Sequence, residues 1–366
     1  GPETAIREGL QIPSNDPLLV VPAMAAVTKH LGFGVTFSTS YEPPFTFARR
    51  MSTLDHLTRG RIGWNIVTSY LPNAARNFGL EDEIPHDRRY EIADEFLDVV
   101  YKLWEGSWDD DAVVADRESG VYADPAKVRY VDHVGENFRV AGPHLSSPSP
   151  QRTPVLYQAT GSPAGIEFAG RHAELVFTGG RSAEDFRQNA QRMREAAGRH
   201  GRDGRDLRFI VQAGVVVGRT EEEAADRWRL YQERTSVDGI LAHSGFPLDL
   251  PALPRELTIG EALAQAGLPA STLSYLDPGA TVGVVLESLR TQREGRYFVA
   301  GTPSVVADEI ERWLDEDGVD GINLRQYHSF DTARDFAELV VPELRRRGRL
   351  DERPDEPRTL RETLFG

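Results

Sequence analysis

Two sets of residues in this chain are of types, and at spacings, that could do chemistry. Gly161-Ser162-Pro163 falls between an apolar run, TPVLYQ, and a helical one, IEFAGRHAEL. Ser suits a helix N-cap, Pro the first helical position, and Gly lets a ligand come close to the backbone. A helix N-terminus so built is a ready anion site, and equally a plain cap. His86 and Tyr90, in HDRRY, could bring an imidazole and a phenol to one phosphate; in isolation they read as a surface His and a helix-start Tyr. The second set is Asn65 and Ser69, in the strand-like run RIGWNIVTS. Side chains alternate along a strand, so Asn65, Val67 and Ser69 share one face and Trp64, Ile66 and Thr68 the other. An amide or hydroxyl buried without a partner costs roughly 1–3 kcal/mol, so that face calls for something polar against it.

The elements that must position these groups are legible from periodicity. Phe47, Met51, Leu54 and Leu57 recur at three and four residues and predict an amphipathic helix, closed by Arg59-Gly60. Apolar, β-branched runs at 35–41, 61–69, 153–158, 175–178, 208–217 and 321–327 predict buried strands. Helical patterns at 17–30, 90–104, 183–200, 220–234, 302–316 and 331–347 alternate with them. That alternation means a parallel sheet, open or closed into a barrel. The stretch 73–89 reads as a loop. Residues 105–150 read as an irregular insertion, and 235–300 are weakly patterned, with helices near 259–266 and 282–292.

Composition removes several classes. The chain has 366 residues, 40% hydrophobic and 27% charged, which suits a large globular core. A net charge of -15 argues against a polyanion partner. There is no cysteine, so disulfides and thiolate chemistry are excluded. The histidines lack metal-ligand spacing, so no metal site is expected; His56 reads as a helix-surface residue, His172 as a structural one and His243 as a loop residue. No G-x-S-x-G elbow and no phosphate-binding P-loop is present. No apolar run is long enough to span a bilayer and no signal peptide is visible, which suits a cytoplasmic protein. On the residues alone, the chain is an α/β protein that binds an anionic ligand.

The runs ARRMSTLDHLTRGRIGWNIVTS, ARNFG and HDRRYEIADEFLDVVYKLWEGSW resemble the bacterial luciferase-like, flavin-dependent monooxygenases. Within them they resemble the branch that acts on nitrilotriacetate, EDTA and dibenzothiophene sulfone. TAIREGLQIPSNDPL, MAAVTKHL, VTFSTSYE, GPHLSSPSPQRTPVLYQA and GVDGINLRQY are similar to its alkane-oxidising members. The resemblance covers nearly the whole chain. It implies a (β/α)8 barrel over residues 1–366 as one domain, with insertions at about 105–150 and 235–300. It also implies a homodimer, and reduced FMN supplied by a separate NAD(P)H-dependent flavin reductase. Oxygen would pass from a flavin C4a-peroxide to a long-chain alkane or similar apolar substrate. Residue by residue, it implies flavin contacts at Ser38, Asn65 and Ser69, and phosphate contacts at His86, Tyr90, Gly161 and Ser162. Gln11 and His243 match active-site positions, and Tyr70 stands where the alkane-oxidising members carry His. Family members have a strand, a helix and a second strand ahead of Gly1, and a longer segment after His243, so pieces are expected to be missing. Two other functions fit: oxidation of a sulfone, an aminopolycarboxylate or a natural-product intermediate, and flavin binding without turnover.

Overall fold

The structure, a computed structural model, describes residues 3–10, 12–69, 72–244, 246–273, 276–291, 295–352 and 355–366. In chain order its first elements are Glu3–Arg7 (α1), Pro17–Ala26 (α2), Phe33–Ser38 (β1), Pro44–Thr58 (α3), Ile62–Val67 (β2), Pro72–Asn77 (α4) and His86–Tyr101 (α5). Two small hairpins follow, Val113–Asp116 with Val121–Ala123 (β3, β4) and His133–Val134 with Arg139–Val140 (β5, β6). Then come Val155–Ala159 (β7), Pro163–His172 (α6), Leu175–Phe177 (β8), Ala183–Arg199 (α7), Arg208–Val217 (β9) and Glu221–Glu233 (α8). Val237–Ser244 (α9), Ile259–Gln265 (α10), Val282–Thr291 (α11), Phe298–Gly301 (β10), Pro303–Arg312 (α12) and Gly321–Leu324 (β11) lead to the C-terminal helices Asp331–Asp335, Val341–Arg346 and Leu360–Phe365 (α13 to α15).

The chain divides into two compact units. The larger takes Asp16–Val211, Val319–Gly321 and Glu352–Gly366. Its strands run β1-β2-β7-β8 and on to the first residues of β9, every pairing parallel, with Thr36 opposite Asn65 and Asn65 opposite Tyr157. Expected strands and helices therefore exist, with bounds shifted by a few residues. The 73–89 loop instead carries α4, a six-residue helix whose PNAARN sequence has too few apolar positions to show a period.

One face of this sheet is apolar. Trp64 and Ile66 are buried against α3 and α5, and Phe47, Trp64, Phe96 and Trp104 form an aromatic cluster with centroids 4.4 to 6.5 Å apart. The two indoles find acceptors, Trp64 Nε1 on Phe37 O at 3.0 Å and Trp104 Nε1 on Ala48 O at 3.1 Å, so burying them leaves no orphan donor. Helix α3 buries Phe47, Met51 and Leu54 as the periodicity requires, whereas Leu57 is exposed. Arg59 and Gly60 both turn left-handed there and end the helix. The insertion is sewn on: Ser52 Oγ meets His144 Nε2 at 2.8 Å, and Trp108 Nε1 donates to His144 O at 2.8 Å. The Glu95 carboxylate on α5 accepts from Asn137 N and Phe138 N, both at 2.9 Å, and bonds His133 Nε2 at 3.1 Å. Burial would raise that carboxyl, but those donors hold it down at about 2.

The smaller unit takes Gly1–Asn15, Gln212–Gly318 and Ile322–Asp351. In it the rest of β9 pairs in parallel with β10. The weakly patterned stretch has its own core, where Leu241, Leu250, Ile259, Leu263, Val282 and Val285 pack together. Both helices expected there are present, and α10 opens with a capping box between Thr258 and Glu261.

Candidate functional site

Strands β1, β2 and β7 run parallel, so their C-terminal ends lie on one side of the sheet, the side on which α/β folds bind ligands. Two polar clusters sit there. At the ends of β1 and β2, Ser69 Oγ donates to Ser38 Oγ at 2.8 Å and Ser40 Oγ donates to Thr68 O at 2.6 Å. Asn65 Nδ2 donates to Thr36 Oγ1 at 3.0 Å, and Asn65 Oδ1 is buried with no partner among the described residues. Ser69 has φ 52°, a left-handed conformation that costs a non-glycine residue about 1–3 kcal/mol and recurs at functional sites.

Beside Asn65 lies Tyr157, whose ring crosses Gly63 and Gly34. A Cβ on Gly63 would meet the Tyr157 hydroxyl at 2.6 Å, and one on Gly34 would meet its ring at 2.7 Å. Gly34 and Gly63 are therefore glycines that seat this tyrosine. Its burial pushes the phenol well above its ordinary value, so it stays protonated.

The second cluster joins the starts of α5 and α6. Ser162 caps α6, its Oγ accepting from Gly165 N at 3.1 Å, with Pro163 at the first helical position. Tyr90 and Phe168 pack with ring centroids 5.6 Å apart, and His86 stands edge-on to Tyr90 at 5.2 Å. Gly165 marks where the hydroxyls converge. A Cβ there would overlap Thr160 Oγ1 and sit 2.7 Å from the Tyr90 hydroxyl and 3.0 Å from Ser162 Oγ. Thr160 Oγ1 is itself buried with no partner among the described residues. A Cβ on Gly161, by contrast, would meet nothing within 4 Å, so that glycine faces open space. Three hydroxyls, a helix N-terminus and an adjacent imidazole make a site for a tetrahedral anion.

Ser38, Asn65 and Ser69 thus come together, as do His86, Tyr90, Gly161 and Ser162. His243 is exposed on α9, a helix rather than the expected loop, in the smaller unit; Gln11 and Tyr70 lie outside the described residues. His56 is exposed and His172 is buried between Asp94 and Tyr101, both as expected. The sequence reading missed Thr36, Ser40, Tyr157, Thr160 and Gly165. Thr36 and Ser40 stand two residues either side of Ser38 in VTFSTSY, so alternation along that run is a signal for those two.

A third feature is a pocket of about 530 Å³ that begins at Ser40. Phe45, Phe78, Leu80, Phe138 and Val140 line it, Tyr41 stacks on Phe78 at 4.7 Å, and its charged residues are Glu42 and Arg139. Glu42 is paired with Arg50 at 2.5 Å.

The parallel sheet thus carries, at its carboxyl end, a hydroxyl cluster at a helix N-terminus, a polar cluster at Asn65 and a mainly apolar pocket that begins at Ser40. The chain belongs to the luciferase-like monooxygenases, a family of flavin-dependent enzymes: the family profile described as "Luciferase-like monooxygenase" matches residues 2–321. It is 47% identical to a long-chain alkane monooxygenase of Geobacillus thermodenitrificans (strain NG80-2), over all of this chain and 79% of that one. It is 42% identical to a dimethyl-sulfide monooxygenase of Hyphomicrobium sulfonivorans, over all of this chain and 76% of that one. The crystal structure of a long-chain alkane monooxygenase superposes with a TM-score of 0.88 at 46% identity, covering all of this chain and 80% of that one. The fold is accordingly that of the family's α/β barrels. Among the described residues no helix is long and apolar enough to cross a membrane.

Proposed function

We propose that this chain is the oxygenase component of a two-component system that hydroxylates a long-chain alkane or a similar apolar substrate with reduced FMN and O₂. The observation that carries the substrate class is the pocket at Ser40. Phe45, Phe78, Leu80, Phe138 and Val140 line it, Glu42 is neutralised by Arg50, and among the described residues Arg139 is the one cation of the lining. A substrate with several carboxylates would need cations there. An alkane has no polar handle and is recognised by apolar enclosure alone.

The residues present fit FMN. The partnerless Thr160 Oγ1 and the space over Gly165 suit a phosphate, and the partnerless Asn65 Oδ1 suits a ring N–H. In this reading His86, Tyr90, Thr160, Gly161 and Ser162 hold the phosphate, and Ser38, Asn65 and Ser69 orient the isoalloxazine. Bound reduced FMN activates O₂ for transfer of one oxygen atom to carbon, the other leaving as water. The protein's part is to fix the ring, exclude water and align the substrate carbon. Gln11, Tyr70 and His243 are assigned to the substrate side by the resemblance. The reading includes a homodimer, one barrel domain per chain, and a separate NAD(P)H-dependent flavin reductase that meets it transiently.

The test combines the protein with a generic flavin reductase, NADH, FMN and hexadecane under ¹⁸O₂. Labelled 1-hexadecanol is the expected product. Oxidation of dimethyl sulfide with no alcohol from hexadecane would overturn the alkane reading, and FMN binding with no oxygen transfer to any substrate would overturn the oxygenase itself. Tyr70→His then reports whether the residue expected as His limits alkane turnover.

A further inference from the structure

Helices α5 and α6 lie side by side and run the same way. Their starts meet where the Tyr90 hydroxyl stands over Gly165 and the Tyr90 ring packs on Phe168, with centroids 5.6 Å apart. Their ends meet at His172, the last residue of α6. Two residues of α5 hold this imidazole, which is only 5% exposed. Its Nε2 bonds Asp94 Oδ1 at 2.8 Å, and its Nδ1 meets the Tyr101 hydroxyl at 3.1 Å. Phe168 links the two ends, its ring 4.7 Å from that of His172.

Burial lowers the pKa of this imidazole against the opposing pull of Asp94, so the ring is neutral at pH 7 and carries one proton. A carboxylate only accepts, so that proton sits on Nε2, and Nδ1 accepts from the Tyr101 hydroxyl. Burial also keeps the Tyr101 phenol protonated. Arg171 adds an outer contact, 3.4 Å from Asp94 and 3.6 Å from Asp98. A phenylalanine at position 172 would avoid the cost of desolvating these groups. What it would lack is direction. Apolar packing such as Phe168 against Tyr90 resists separation of two helices far more than a shift along them. Hydrogen bonds in a buried, fully satisfied set allow neither.

We infer that Asp94, His172 and Tyr101 are positioning residues for the phosphate: they fix α6 along α5, so that the Tyr90 hydroxyl arrives beside those of Thr160 and Ser162. The spacing supports it. Tyr90, Asp94 and Tyr101 stand four and seven residues apart on one stripe of α5, and Gly165, Phe168 and His172 three and four apart on one stripe of α6. At 1.5 Å per residue the lock lies about 10 Å along α6 from Gly165, and a continuous helix carries a shift over that distance undiminished. A binding constellation tolerates only about 0.5 Å of error, so a slip shorter than one hydrogen bond is enough to scatter the hydroxyls. The inference rests on the phosphate reading above and is independent of the substrate.

The test compares FMN with riboflavin, which lacks the phosphate, by quenching of flavin fluorescence on titration of the apo protein. The wild type is expected to prefer FMN. His172→Phe keeps a ring at the site and breaks both hydrogen bonds. Its FMN Kd should rise about 10- to 100-fold, the worth of one hydrogen bond to a charged group, while its riboflavin Kd is unchanged. Asp94 is partly exposed, so Asp94→Leu keeps the test open if the buried variant fails to fold, and it should lose FMN affinity in the same selective way. Asp94→Asn retains an acceptor for Nε2–H and should bind FMN as the wild type does. A general loosening of the fold would raise both Kd values together. That result, an FMN preference unchanged in His172→Phe and Asp94→Leu, or an Asp94→Asn as weak as Asp94→Leu, would overturn the positioning role alone. A wild type that binds riboflavin as tightly as FMN would overturn the phosphate reading, and this inference with it.

Discussion

Gly161, before the cap of α6, and Gly165, in its first turn, should fail differently when each is given a methyl group. In Gly165→Ala the new Cβ overlaps Thr160 Oγ1 and lies 2.7 Å from the Tyr90 hydroxyl and 3.0 Å from Ser162 Oγ, so at least two hydroxyls must move. Overpacking of this kind costs about 1–3 kcal/mol, offset by up to about 1 kcal/mol of helix propensity. The apo protein should therefore lose about 0–2 kcal/mol, a fall in Tm of a few degrees. The effect on FMN should be larger. A hydroxyl bonded to a charged phosphate is worth about 1.5–3 kcal/mol, so displacing two weakens binding by roughly 3–6 kcal/mol, or about 10²- to 10⁴-fold. In Gly161→Ala the methyl meets nothing, so apo stability should hold within about 0.5 kcal/mol. FMN affinity should still fall, because the methyl occupies space into which the phosphate would come. Quenching of FMN fluorescence on titration of the apo protein gives the Kd, and a thermal melt without FMN gives the stability. A Gly165→Ala protein that binds FMN as the wild type does would refute the phosphate assignment. A Gly161→Ala protein that melts several degrees lower would refute the reading of its open surroundings.

Thr160→Val removes a buried hydroxyl that has no partner and keeps its shape; the apo melt should stay level or rise, while the FMN Kd rises about tenfold. Glu95→Gln turns an acceptor toward two backbone N–H groups into a partial donor; urea unfolding should show a loss of about 1–3 kcal/mol, and hydrogen exchange should lose protection at Asn137 and Phe138. Because the Glu95 carboxyl sits at about 2, its contribution is complete above its usual 4.5 and is lost as pH falls from there toward 2. His144 is the opposite kind of group: burial, aided by His56, lowers it to about 4. The unfolded chain takes up that proton below about 6.5 and the folded chain does not, so stability should fall by up to about 1.4 kcal/mol per pH unit between 6.5 and 4. Urea midpoints at pH 7, 5.5 and 4.5 for wild type and His144→Gln should show the wild type losing more over that range.

What was legible in the sequence was whatever repeats with a short period. The strand at Arg61 to Ser69 announced both its faces, and the structure buries Trp64 and Ile66 while Asn65 and Ser69 bond across to β1. Ser162-Pro163 announced the cap of α6, since capping is settled within four residues. Helix α2 was legible as a helix, but its second apolar face, with Leu19 and Met24, was not legible as exposed, because all-round apolarity reads as burial. Helix α9 was hidden for another reason: its eight residues, VDGILAHS, are too few to establish a period and carry no cap signal like the Thr258–Glu261 box that announces α10.

The hydroxyl cluster shows where local reading stops. Thr160, Gly161 and Ser162 are adjacent in sequence, and nothing local says which of Gly161 and Gly165 must lack a side chain. That depends on where the Tyr90 hydroxyl arrives, and Tyr90 is set by α5, whose face is fixed by Phe96 and Leu97 in the core. Gly161, at the turn, is free of neighbours, and Gly165, inside the helix where glycine is least favoured, is the one the packing demands. A glycine kept against helix propensity, an orphan hydroxyl beside it and a serine held at φ 52° are each costs to the apo fold. They lie at the two polar clusters at the strand ends and nowhere in the aromatic core of α3, β2 and α5. A phosphate would relieve the second of these by supplying the orphan hydroxyl's partner, which is why FMN should raise the melting temperature of the wild type and do so far less in Gly165→Ala.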